Sequence, residues 1–252
     1  MTGDMVIGQD AKDLFDNILI GNLEGDYKKL MVSPKSMPEG LEKLIKDEIK
    51  KAKNGQDAYI RLKMNSISDR GLIDLLAKAS KAGVEIKMMV RGITCILPGV
   101  AGETENIEIY QIVGRFLEHH RIYQFGRENP KVYISSADFM TRNIRNRVEV
   151  AVPIEDPDVK KYVLDFCDTM FADDVKIRKL YATGEYLRVE NKNNYNAQEE
   201  LMKKAISDFE QAETKYREND LGNNHKILKA DAAKKDDEKT SFIDWLKNIF
   251  KN

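Results

Sequence analysis

The chain has 252 residues, 42% of them apolar and 33% charged, with a formal net charge of −1. That length holds one large or two small domains around a sizeable core, and the balanced charge excludes global steering toward nucleic acid or an anionic membrane. Its two cysteines, Cys95 and Cys167, lie far apart without metal-ligand spacing, which excludes a disulfide framework and a cysteine metal site.

The N-terminus carries no charged-then-apolar leader, and no apolar run of about 18 residues exists to span a bilayer, so a cytoplasmic protein is expected. Residues 7–20 have helical spacing through Ala11, Leu14, Phe15 and Ile18, closed by Gly21 and Gly25. No earlier strand precedes this helix, so residues 1–28 read as the remnant of a preceding domain and Met1 as the start of a piece of something longer. Residues 29–32 form a short strand and Ser33-Pro34 a turn. Ser36 is the expected N-cap of a helix bearing Leu41, Leu44, Ile45, Ile49 and Ala52, with Pro38 in its first turn and Asn54-Gly55 at its end.

A strand over 58–64 is followed by a loop over 65–68, and Asp69 caps a helix that Gly83 stops. The strand over 84–90 then ends at Arg91-Gly92. This strand–helix–strand order with short links is the βαβ pattern of a parallel sheet covered by helices. Ligands of such sheets sit at the carboxyl ends of strands, where Lys63, Asn65 and Arg91 fall. A Gly/Pro loop over 96–105 leads to a strand over 107–113 and a helical turn carrying Leu117 to His120. Strands over 122–125 and 132–135 come next, joined by a hairpin-like link. Ser136 and Asp138 open a polar turn, 148–152 is a further strand, and Pro157 opens a helix with Val163, Phe166, Cys167, Met170 and Phe171 on one face. A last strand over 175–180 puts the edge of the folded unit near Leu187. Residues 188–252 form a charged tail, with a thin-striped helix over 197–216. At its tip Phe242, Trp245, Leu246, Ile249 and Phe250 make one apolar helical face, expected to dock on protein.

The chemistry concentrates in residues 115–147, which hold His119, His120 and seven Arg/Lys against three acids. Guanidinium forks grip phosphate oxygens bidentately, and imidazole serves as nucleophile, acid or base, so the island suits a phosphate-rich anion. His119-x-Arg121 is followed by two strands and Ser135-Ser136-Ala137-Asp138, with Asn143 five residues on. This layout resembles a phospholipase D half-site, with Arg121 in place of lysine and Asp138 in place of asparagine. The strings KMNSISDRGLIDLLAKASKAGVEIKMMVRGITCILPGV, ENIEIYQIVGRFLEHHRIYQF and VYISSADFMTRN closely resemble the C-terminal catalytic half of bacterial polyphosphate kinase. TGDMVIGQDAKDLF and LMVSP fit the end of that family's preceding domain, so the likeness covers about residues 2–185.

The resemblance implies an α/β, phospholipase-D-like mixed or mostly parallel sheet flanked by helices, with 29–187 as the C-terminal catalytic domain. It implies reversible transfer of the terminal phosphate of ATP to polyphosphate, with magnesium whose ligands lie outside this chain. His119 maps to the family's second, assisting histidine, Arg91 to its nucleotide-phosphate arginine, and Arg147 to a further phosphate arginine. Lys63, Arg121, Arg142, Asp138 and Asn143 are weaker candidates for the same site, and Asp138 has the alternative of capping its own turn. Near phosphates the imidazolium form of His119 is favoured. The family's phosphorylated histidine has no counterpart here. His120 reads as a neighbour facing away, and His225 lies in the tail. The expected partners are ATP or ADP, polyphosphate, the missing N-terminal part of the enzyme and a possible second copy, with no nucleic acid. Alone, the chain is expected to bind phosphates weakly and turn over little or nothing. Two other readings stand beside this one: a polyphosphate-binding module without turnover, and a homodimeric phospholipase-D-type diesterase.

Overall fold

The computed structural model describes residues 2–223. His225 and the apolar face from Phe242 to Phe250 lie outside the described residues. The chain divides into two compact units, Met1–Leu201 and Met202–Asn252.

The first unit is built on one nine-stranded mixed sheet. In chain order the elements are α1 (Met5–Leu19), β1 (Met31–Val32), α2 (Ser36–Lys53), β2 (Tyr59–Met64), α3 (Arg70–Lys81), β3 (Glu85–Val90) and β4 (Ile107–Ile112). They continue with β5 (Ile122–Phe125), β6 (Lys131–Ser135), α4 (Thr141–Arg145), β7 (Val150–Pro153), α5 (Pro157–Phe171), β8 (Ile177–Leu180), β9 (Tyr186–Arg188) and α6 (Ala197–Asn223). The spatial order is β1-β7-β6-β5-β2-β3-β4-β8-β9. Parallel pairing joins only β2, β3 and β4, in register Tyr59 to Glu85 and Ile86 to Ile107. Every other neighbour is antiparallel. The mixed sheet holds, but its parallel part is confined to the centre.

Helices cover both faces because the central strands are apolar on one side and mixed on the other. Ile60, Leu62 and Met64 of β2 join Leu41, Ile45, Leu72 and Leu76 of α2 and α3 in the main core. On the opposite face Cys167 and Phe166 of α5 pack over Ile122 and Val132, and Arg61 lies over Phe171 and pairs with Asp168. Helix α1 packs through Ile7 and Leu14 on Leu30, Val32 and Val150. Residues 189–201 also stay with this unit. Val189, Tyr195, Ala197 and Leu201 cluster with Met89, Ile112 and Met170, which the polar composition of that stretch hides.

Two local expectations change. Ser36 is the first helical residue rather than the N-cap: its hydroxyl accepts from the Val32 amide at 2.8 Å and donates back to the Val32 carbonyl at 3.2 Å. Residues 117–120 form no helical turn and lead irregularly into β5, because side-chain groups of Glu118, His119 and His120 are held by distant residues rather than by each other. Asp69 does cap α3, accepting from the Leu72 amide at 3.0 Å.

Candidate phosphate-binding site

The strand directions bring the carboxyl ends of β2, β3, β4 and β6 and the start of β5 to one end of the sheet. There the loops after β2, β3 and β6 are zipped together. The Ile67 amide donates to the Ile93 carbonyl at 2.8 Å, and the Ser68 and Asp69 amides both donate to the Phe139 carbonyl at 2.8 Å. Gly92 makes that approach possible: its amide donates to the Asn65 carbonyl at 2.8 Å, and a Cβ there would stand 2.9 Å from the same oxygen.

On this rigid rim the charged side chains form one connected chain of hydrogen bonds. Arg91 donates through Nε to Asn65 Oδ1 at 2.6 Å, and its terminal nitrogen lies 3.2 Å from His119 Nδ1. A guanidinium only donates, so Nδ1 accepts and the neutral imidazole carries its proton on Nε2. Asn65 donates to Asp138 from its backbone amide at 2.7 Å and its side-chain amide at 3.0 Å. Arg121 clasps the same carboxylate bidentately, at 3.2 and 3.1 Å, and donates to the His119 carbonyl at 3.2 Å. Asp138 therefore ties β2, β5 and β6 together instead of capping its own turn. Behind it, Asn143 accepts from the Asp138 amide at 3.4 Å and donates to Glu149 at 3.0 Å.

His119 is exposed, and Arg121, partial burial and then Arg91 push its pKa below 6.5 against the opposing pull of Asp138. The guanidiniums of Arg121 and Arg91 thus repel a further proton on the ring. Arg142 and Arg147 are exposed at the same end of the sheet, next to Asn143 and β7, with no side-chain partner among the described residues.

Lys63 stands apart. Only 2% exposed, it points to the α5 face, 3.2 Å from Glu118 and 3.4 Å from His120 Nδ1. Burial pulls its ammonium pKa down while Glu118 opposes. The Glu118 carboxyl is held at about 2: burial raises it, but His120, Lys63 and Gln198 together outweigh burial. His120 turns away from His119 and meets Phe166 edge-on at 4.8 Å between ring centres. Sequence reasoning placed Asn65 at a strand end but did not see it as the bridge from Arg91 to Asp138. It missed Glu118 and Gln198 entirely, since neither carries a local pattern.

Residues 30–199 match the family model described as polyphosphate kinase C-terminal domain 2. The chain belongs to the polyphosphate kinase family. It is 42% identical over 193 residues to the polyphosphate kinase of Lactiplantibacillus plantarum, covering 76% of this chain and 27% of the relative. It is 44% identical over 179 residues to that of Yersinia pestis, covering 71% and 26%. The chain thus spans about a quarter of the length of these relatives. The crystal structure of polyphosphate kinase from Porphyromonas gingivalis superposes with a TM-score of 0.78 at 33% identity, over 84% of this chain and 33% of that one. A phospholipase D family member, Nuc from Salmonella typhimurium, aligns at a TM-score of only 0.41 with 17% identity, too loose to add to that. Among the described residues no helix is long and apolar enough to cross a membrane.

Proposed function

We propose that this chain supplies the phosphate-gripping half of an ATP:polyphosphate phosphotransferase, in which the terminal phosphate of ATP passes reversibly to a polyphosphate chain. The observation that carries the reading is the 3.2 Å contact between Arg91 and His119 at the strand ends of a polyphosphate kinase domain. Phosphoryl transfer asks the protein for a nucleophile and for positive charge aimed at the equatorial oxygens. Arg91 supplies that charge without titrating, and Arg147, exposed beside β7, is the next candidate. Arg121 and Asp138 hold the rim in shape, with Asn143 steadying Asp138. Protonated when phosphates bind, His119 as imidazolium gives one proton to the ADP oxygen that leaves as the P–O bond of ATP breaks and the bond from phosphorus to the nucleophile forms, and it returns to neutral imidazole. The nucleophile that takes the phosphate is, by the family resemblance, a histidine of the preceding domain.

The family resemblance also implies magnesium. The residues here do not fit it: among those described no group of three His, Cys, Asp or Glu is placed to hold a metal, and Asp138 is already taken by Arg121 and Asn65. No step in this chain passes through the ion.

Joined to the histidine-bearing upstream domain, the wild-type chain should support ATP-dependent polyphosphate synthesis and His119→Ala should abolish it. Arg91→Ala should lower the rate about a hundredfold, the ~3 kcal/mol of one lost transition-state contact. Robust chain growth by the wild-type chain alone, given ATP, magnesium and a primer, would sink the two-halves reading. If the joined protein binds polyphosphate but never extends it, the chain is a binding module. The diesterase alternative has less support, because Arg121, where that site needs a free lysine, is committed to Asp138.

A further inference from the structure

The stretch from Val113 to Arg121 that carries His119 belongs to no strand or helix. Among the described residues no main-chain group holds residues 116–120. A histidine on such a strap would wander unless side chains pinned it.

Arg121 holds the His119 carbonyl, and the other pins come from the start of α6 and from β2. Gln198 is 4% exposed. Its Oε1 accepts from the Phe116 amide at 3.1 Å, and its Nε2 donates to the Phe116 carbonyl at 2.9 Å and to Glu118 Oε1 at 2.7 Å. A carboxamide matches the amide and carbonyl of one residue because it offers a donor and an acceptor side by side; no carboxylate, amine or hydrocarbon does both. The other carboxylate oxygen, Oε2, faces the buried Lys63 ammonium at 3.2 Å, off the line of a hydrogen bond. Glu118 and His120 meet Lys63 on the inner side, while His119 between them meets Arg91 on the outer rim.

We infer that Gln198, working with Glu118, is the positioning residue for His119: its carboxamide clamps the main-chain amide and carbonyl of Phe116 and thereby sets where the imidazole stands relative to Arg91. A second feature points the same way. Gly114 lies against the clamp, and a Cβ there would meet Gln198 Oε1 at 2.4 Å. Its φ lies outside the left-handed range, so alanine suits the backbone and only the Gln198 side chain has to move. Gly114→Ala therefore opens the clamp without deleting it.

The catalytic weight of this clamp rests on the phosphate-gripping reading of His119, so the experiment separates the two. In the full 252-residue chain, the titration of His119 is followed by histidine NMR, its signal assigned from the His119→Gln spectrum. The charged and titratable groups around it are Arg121, Arg91 and Asp138, with His120 beside it in the chain and turned away. A strap freed from its clamp carries His119 away from both arginines, so its pKa should rise toward 6.5 in Gln198→Leu and in Gly114→Ala. Tripolyphosphate affinity should fall about fivefold in each, the scale of one lost hydrogen bond. A merely structural role would lower the melting temperature and leave the His119 titration of the folded variant where it was. An unchanged titration in a folded variant, with Gly114→Ala standing in should Gln198→Leu fail to fold, overturns the inference. A raised pKa supports the clamp; if triphosphate affinity then stays constant, it is the role given to His119 that fails.

Discussion

At His119 the imidazole carries the repulsion of two guanidiniums, Arg121 first and then Arg91, and its pKa sits below 6.5 as a result. On the proposed phosphotransferase reading, a bound phosphate chain would reverse the sign of that field and favour imidazolium. Binding therefore takes up a proton in the pH window between the free and bound pKa values, and affinity for tripolyphosphate rises as pH falls through it. Titration calorimetry in two buffers of different ionisation enthalpy measures that proton; identical heats would show that none is taken up. Glu118 gives the opposite linkage. Its folded pKa of about 2 lies below the ordinary 4.5, so the stability it contributes is present above pH 4.5 and drains away as pH falls toward 2. Glu118→Gln should be less stable at neutral pH, because Lys63 is left buried and unpaired. Its stability should also change less between pH 4.5 and 2 than the wild type's. Urea midpoints across that range decide it.

Among the elements, α3 is tied to the site loops through its cap. Asp69 accepts from the Leu72 amide with one oxygen and from Thr141 at 3.0 Å and Arg145 at 3.4 Å with the other. Asp69→Ala removes a helix cap and two links to α4 together, and should cost about 2 kcal/mol in urea unfolding. Asp69→Asn keeps the cap acceptor and should cost less. The cap was legible because Asp followed by an apolar 3.6-residue stripe is a local signal, and the same held for the parallel β2–α3–β3 unit. The strap over 117–120 was not. Its apolar and polar residues resemble a helical turn, but the Glu118 carboxylate accepts from Gln198 and is ion-paired with Lys63, about eighty and fifty-five residues away in sequence. No window of neighbouring residues contains those partners.

Over the whole molecule, the first compact unit runs to Leu201. Tyr195, Ala197 and Leu201 bury apolar surface against Met89, Ile112 and Met170, and Asp173 and Asp174 receive the Ala197 and Tyr195 amides at 2.8 and 2.6 Å. A chain ended after Leu201 should keep a cooperative thermal transition. One ended after Leu187 should lose it or melt far lower, and differential scanning calorimetry of the two tells them apart. The sequence by itself determined the family, the helix-covered sheet and the residue types of the site, because apolar periodicity, caps and long strings of specific residues are written locally. Only the tertiary structure decided which charges meet. Arg91 reaches His119, Arg121 is committed to Asp138, and Lys63 is buried beneath Glu118. Side chains brought to one rim from four strand ends acquire their partners, and so their protonation, from the crossing of strands distant in the chain.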